Sequence, residues 1–157
     1  MSPRTILIMR HAEKLEDPTN PDLSSDGFAR AGKLVSWVPQ TFGRPDYLFA
    51  SSISKHSARP YETLKPLAKA IGIPIDATFA DQDYGALAHE LLTNARYDGA
   101  MVLVCWHHGH IPDLAADLRA PPNSYPDRWD GSVFNLVLRL DYDAAGNVRL
   151  TPVPEPF

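Results

Sequence analysis

Thr5-Ile6-Leu7-Ile8-Met9-Arg10-His11-Ala12 begins as a run of aliphatic side chains and ends on a guanidinium beside an imidazole. A short apolar run with Pro3 ahead of it reads as a strand buried on both faces. Such strands dominate parallel sheets, whose ligands bind just outside the carboxyl ends. Arg10 and His11 are therefore delivered to the rim where a ligand would sit. Histidine is a nucleophile at neutral pH, and arginine holds phosphate oxygens through a planar fork of donors. A basic pair at this place is equipped for phosphoryl chemistry.

A second run of the same kind, Met101-Val102-Leu103-Val104-Cys105-Trp106, leads into His107-His108-Gly109-His110. If the two strands are parallel they end on one rim, and His11 faces the histidine cluster. Between them the chain alternates. Phe28, Ala31, Leu34, Val35 and Val38 share one face of a helix that Ser24 or Ser25 caps and Pro39 ends. Tyr47-Leu48-Phe49-Ala50 reads as a strand. Ala58 to Ile71 reads as a helix with Pro60 in its first turn, a kink at Pro66 and a stop at Gly72. Ile73-Pro74-Ile75 is a short extended piece, and Ala86 to Ala95 a third helical stretch.

After the histidines come a helix from Pro112 to Leu118 and a turn-rich segment from Arg119 to Gly131. A hairpin follows, with arms Val133–Tyr142 and Val148–Leu150. This order predicts a three-layer α/β/α sandwich with a mostly parallel central sheet and a C-terminal β-hairpin at its edge. Residues 1–157 read as a single domain.

The net charge of −4 gives the surface as a whole no attraction for nucleic acid or anionic lipid, so any basic site is local. No apolar stretch approaches the ~20 residues of a membrane span, and Met1-Ser2-Pro3-Arg4 runs into the first strand without a signal peptide. The single cysteine, Cys105, excludes an internal disulfide and fits a reducing cytoplasm.

A phosphoryl-transferring histidine needs cationic donors around the phosphoryl oxygens. Arg59, at the start of a helix whose free N–H groups also favour phosphate, is the first source, and the cluster after Trp106 is the second. Other readings compete. Cys105 would suit a Cys-x5-Arg phosphate loop, but Ile111 stands where the arginine belongs. Asp81-Gln82-Asp83 has the spacing of an aspartyl-phosphate motif without its strand. His107, His108 and His110 could ligate zinc, though no fourth ligand is evident. Glu13 and Lys14 read as a solvated edge of the site, Glu62 as a helix-orienting carboxylate, and His56 and His89 as surface residues. Trp37, Trp106 and Trp129 read as core or pocket wall.

Four segments resemble one family, the histidine phosphatase superfamily, also called phosphoglycerate mutase-like. They are Ile6-Leu7-Ile8-Met9-Arg10-His11-Ala12-Glu13, Leu23-Ser24-Ser25-Asp26-Gly27-Phe28-Ala29-Arg30-Ala31, Arg59-Pro60-Tyr61-Glu62-Thr63-Leu64-Lys65-Pro66-Leu67-Ala68 and Leu103-Val104-Cys105-Trp106-His107-His108-Gly109. The resemblance implies that His11 is transiently phosphorylated, and that Arg10, Arg59 and a second histidine hold the phosphoryl group without a metal or other cofactor. The substrate would be a small phosphate ester or a phosphoprotein. An ungapped match selects His107 as the second histidine. Similarity to a branch with Trp-Glu-His, together with the turn expected at Gly109, selects His108, which is the assignment expected here. The family's general acid is a carboxylate between the second arginine and the second histidine. Asp81, Asp83 and Glu90 qualify, with Asp83 favoured because Asp83-Tyr84-Gly85 reads as a rim loop. The compact chain shows no long insertion to form a lid, which favours a phosphatase over a phosphoglycerate mutase-type phosphotransferase. A phosphate-binding adaptor is the alternative from another class.

Overall fold

The computed structural model describes residues 2–157. Its strands are β1 (Thr5–Arg10), β2 (Tyr47–Ala50), β3 (Ile75–Asp76), β4 (Met101–Trp106), β5 (Leu136–Tyr142) and β6 (Val148–Pro154). Its helices are α1 (Ser25–Phe42), α2 (Arg59–Ile71), α3 (Tyr84–Thr93) and α4 (Ile111–Asp117). One sheet holds all six strands in the order β3-β2-β4-β1-β5-β6. β1 runs parallel to β4, with Thr5 opposite Met101 and Arg10 opposite Trp106, and β2 runs parallel to both β4 and β3. β5 alone runs against the other strands, antiparallel to both β1 and β6.

Alternation along the central strands sorts their side chains into two cores. Ile6 and Ile8 of β1 join Val102, Val104 and Trp106 of β4 against Leu87 and Leu91 of α3 and Leu114 and Ala115 of α4. Leu7 and Met9 join Leu103 and Cys105 against Leu34 and Val38 of α1 and Leu64 and Leu67 of α2. With helices on both faces, β1 and β4 have no solvent side, which is why both read as unbroken apolar runs.

The expected three-layer sandwich is the observed one; the departures lie at element ends. Pro39 does not end α1, which continues to Phe42. Proline removes one N–H from the ladder, yet Gly43, at φ 101°, closes the last turn by donating its N–H to the Pro39 carbonyl. α3 starts two residues earlier than its apolar pattern suggests, and the last arm of the hairpin extends to Pro154.

The loop after β1 is fastened at both ends. Ser24 caps α1 by accepting the Gly27 N–H, and its own N–H and hydroxyl both donate to the Glu13 carbonyl. Arg30 of α1 meets the Glu13 carboxylate through two hydrogen bonds, 2.8 and 3.0 Å. It also donates to Glu155 at 3.0 Å and to the Phe157 carbonyl, so the C-terminal segment is tied to the residues following His11.

Gly27 packs so closely on the Glu13 backbone that a methyl group there would overlap the carbonyl, whereas Gly32 on the same helix has open space. Gly27→Ala is expected to destabilise the protein by about 1–3 kcal/mol, as overpacking does. Gly32→Ala should stabilise it by about 0.4–1 kcal/mol. Urea unfolding of the two variants checks both signs.

Candidate active site

β1 and β4 end side by side. The His11 N–H continues their ladder by donating to the Trp106 carbonyl at 3.1 Å, and the His11 and His107 rings meet edge to face, centroids 5.3 Å apart. On β4's other side the Ser51 N–H donates to the Cys105 carbonyl, so the chain leaving β2 toward Arg59 starts from the same rim. Residues 107 and 11 share strand parity with Cys105 and Met9, toward the α1–α2 layer that carries Arg59. Arg10 has the parity of Trp106 and lies toward the other layer.

His11 is 2% exposed. Its Nδ1 lies 2.7 Å from the Ala12 carbonyl, which can only accept, so the proton sits on Nδ1 and the Nε2 lone pair is free. Burial pushes the imidazole down to about 3, opposed by the Ala12 hydrogen bond and helped by His107, Arg10 and Arg59. His107 is pushed down to about 4, again chiefly by burial and then by Arg59. Both rings are neutral at physiological pH.

The arginines supply the positive charge. Arg10, also 2% exposed, donates from one terminal nitrogen to the carbonyls of Gly131 (2.6 Å) and Val133 (3.3 Å), and its guanidinium lies 3.8 Å from the centre of the Phe134 ring. Arg59 donates to the Asn20 carbonyl at 2.8 Å. In both, Nε is buried with no protein acceptor. A buried donor without a partner is costly, and two of them on cations beside neutral imidazoles make a pocket complementary to an anion. Burial and the neighbouring Arg59 lower Arg10 to about 10, which leaves it charged.

The ring in contact with His11 is that of His107 rather than that of His108. His107 is still extended (φ −84°, ψ 139°), while His108 starts a short 3-10 turn ending at His110. Gly109 has a negative φ and open space at its Cβ position, so no glycine-only turn follows His108. His108 instead faces Gly131, with Arg10 and Lys14 as nearby cations.

Asp83 is exposed at the start of α3. Two carboxylates reach the histidine rim: exposed Asp113, 3.5 Å from His110 Nδ1, and half-buried Asp81. Asp81 Oδ2 lies 3.6 Å from His110 Nε2, its Oδ1 is buried without a partner, and its carbonyl accepts the Trp106 indole N–H at 3.0 Å. Burial raises the Asp81 carboxyl above its ordinary range, with His110 opposing. Glu90 lies at the far end of α3, bound to Asn94. Glu62 accepts the Leu23 N–H and is raised by burial, with Asp22 beside it. Cys105 is buried and its thiol pushed up by desolvation. Among the described residues no three His, Cys, Asp or Glu side chains form a group able to hold a metal ion, so the zinc reading of the histidine cluster finds no ligand set. A groove of about 470 Å³ lined by Arg4, Arg119 and Tyr142 lies at the opposite end of the sheet and includes none of these residues.

No family model matches the chain, and no curated protein matches it in sequence. Solved structures do. The protein histidine phosphatase SixA in complex with tungstate superposes with a TM-score of 0.73 over 96% of each chain at 18% identity. The chain has the histidine phosphatase fold. A mycobacterial glucosyl-3-phosphoglycerate phosphatase with inorganic phosphate gives 0.66 over 94% of this chain and 95% of that one, at 16% identity. A phosphoglycerate mutase from Plasmodium falciparum gives 0.64 over 96% and 90%, at 14% identity.

Within this histidine phosphatase fold, several groups at the pocket carry no motif. Gly131, at the end of the turn-rich segment, and Val133 and Phe134, in the expected hairpin arm but ahead of β5, hold Arg10, and Trp129 braces them by donating to the Val133 carbonyl. Asn20 holds Arg59 through its backbone, which no side-chain pattern records. Strand parity, by contrast, was a usable signal for His107.

The depressed histidines have a thermodynamic consequence. An unfolded chain protonates His107 near its ordinary pKa of about 6.5, while the folded chain does so only near 4. Between these values the unfolded state takes up the proton, so stability present at neutral pH is lost as pH falls. His107→Gln should therefore lose less stability than the parent protein between about pH 7.5 and about pH 5, as measured by urea unfolding.

Proposed function

We propose that this chain is a metal-independent phosphatase that works through a phosphohistidine on His11. The observation that carries this reading is the neutral, buried imidazole with Nε2 free and with two arginines as neighbouring cations, each keeping a buried N–H without a protein acceptor. In the first step His11 Nε2 attacks phosphorus in line; the N–P bond forms as the bond to the leaving oxygen breaks. Arg10, Arg59 and an N–H of His107 take the charge on the phosphoryl oxygens, the arrangement that contributes most to such transfers. The Asp81 carboxyl, held up by burial, gives its proton to the leaving oxygen. In the second step the Asp81 carboxylate removes a proton from water, water oxygen attacks phosphorus, and the N–P bond breaks to return neutral His11 and inorganic phosphate.

The substrate class is a phosphomonoester or a phosphohistidine. We place the protein in the cytoplasm, consistent with one buried reduced cysteine and with no described helix long and apolar enough to cross a membrane. The fold shared with SixA and with glucosyl-3-phosphoglycerate phosphatase supports the reaction type.

An aryl phosphate, whose leaving group needs little acid assistance, is the direct test. Rapid quenching should trap an acid-labile, base-stable phosphoadduct, and His11→Ala should lose both adduct and turnover. Arg59→Ala should lower kcat by about 10²–10³, as loss of an oxyanion donor does. Arg59→Lys should recover only part, because the fork is gone. His107→Ala should cost more than His108→Ala. Activity surviving in His11→Ala overturns the mechanism, and phosphate binding without turnover in the parent protein identifies an adaptor instead.

A further inference from the structure

The nucleophile and the Arg59 clamp sit on different elements, yet one hydroxyl joins them. Thr63, in the second turn of α2, is 1% exposed. Its Oγ1 donates to the Arg59 carbonyl at 2.8 Å and accepts the Ala12 N–H at 2.9 Å. Ala12 is fully buried, and its own carbonyl is the group that accepts the His11 Nδ1–H at 2.7 Å. The chain of bonds therefore runs from the Arg59 backbone through the Thr63 hydroxyl and both polar groups of Ala12 to the imidazole. Bonding back to residue 59 uses the hydroxyl proton and leaves a lone pair for Ala12, so the direction of each bond is determined.

We propose that Thr63 is the positioning residue of the site: it sets the spacing between His11 and Arg59 and, by fixing Ala12, holds the His11 proton on Nδ1. The assignment of a role in turnover rests on the phosphatase reading above; the assignment of the tautomer does not. Without the hydroxyl, the Ala12 N–H is a buried donor with no acceptor. Ala12 then turns to find one, and its carbonyl moves with it. His11 loses the bond that fixes its tautomer and ring angle, and the distance to Arg59 is no longer held. Misplacements of this size at a reacting atom cost up to about 10² in rate.

Thr63→Val keeps shape and removes the hydroxyl; Thr63→Ser keeps the hydroxyl and removes the methyl. With an aryl phosphate, Thr63→Val should lower kcat by about 10- to 100-fold with a much smaller change in KM, because the arginine side chains that bind the phosphoryl group remain. Thr63→Ser should retain most of the parent kcat. Nitrogen NMR of labelled histidine gives a readout independent of turnover: His11 should show the single Nδ1–H tautomer in the parent and Ser proteins and a mixture in the Val protein. Should Thr63→Val not fold, Thr63→Ala, which also lacks the hydroxyl but relieves the fit, is measured in its place. A hydroxyl-free variant with parent kcat and an unchanged His11 tautomer overturns the proposal, as does a Ser variant no better than Val. A parent protein without turnover overturns the phosphatase reading and leaves the tautomer measurement to decide the role of Thr63.

Discussion

The parallel pairing of β1 with β4, Arg10 opposite Trp106, is the constraint on which the site depends. Both strands lie inside the sheet and are covered on both faces, so neither can slip without moving its aliphatic side chains into the wrong layer. The register brings His11 and His107 to one height and one side of the sheet. It sends Arg10 to the other side, where Phe134 and the carbonyls of Gly131 and Val133 hold its guanidinium. The neighbours of His11 thus follow from strand geometry before any polar contact is made.

The electrostatics follow from the same burial. Desolvation keeps both imidazoles neutral, and the cationic character of the pocket resides in Arg10 and Arg59, whose guanidinium groups keep their charge under burial that would neutralise a lysine. Three carboxylates near the pocket are paired with another cation or drawn toward protonation. Glu13 is engaged by Arg30, Glu62 is raised by burial beside Asp22, and Asp81 is raised at the histidine rim. These three therefore offset little of the positive charge of Arg10 and Arg59.

What could be read from the sequence was set by periodicity and punctuation. β1 and β4 stand out because burial on both faces leaves an unbroken aliphatic run, and α2 is framed by Pro60 and Gly72, the latter at φ 72°. Arg10 and His11 are placed by the end of the β1 run, and Arg59 by the start of α2. Pro39 misleads because a proline in the final turn removes a single ladder bond. The two histidines after Trp106 are separated by where extension ends: His107 still alternates as strand, and His108 has entered the turn. Asp83 and Asp81 are distinguished by the 3-10 turn they share, which leaves Asp83 exposed and brings Asp81 beneath the Trp106 indole. No local pattern encodes that.

β1 is made near the start of the chain, but its two sheet neighbours are β4, beginning at Met101, and β5, beginning at Leu136. The Glu13–Arg30–Glu155 contact adds a third tie to the far end. During synthesis this strand, fully buried in the folded protein and carrying His11 just past its tip, must therefore wait for partners that emerge much later. Contacts so distant in sequence slow folding and leave an unpaired edge exposed to association with other chains. His11 thus belongs to a pocket that closes only after the strand beginning at Leu136 has emerged.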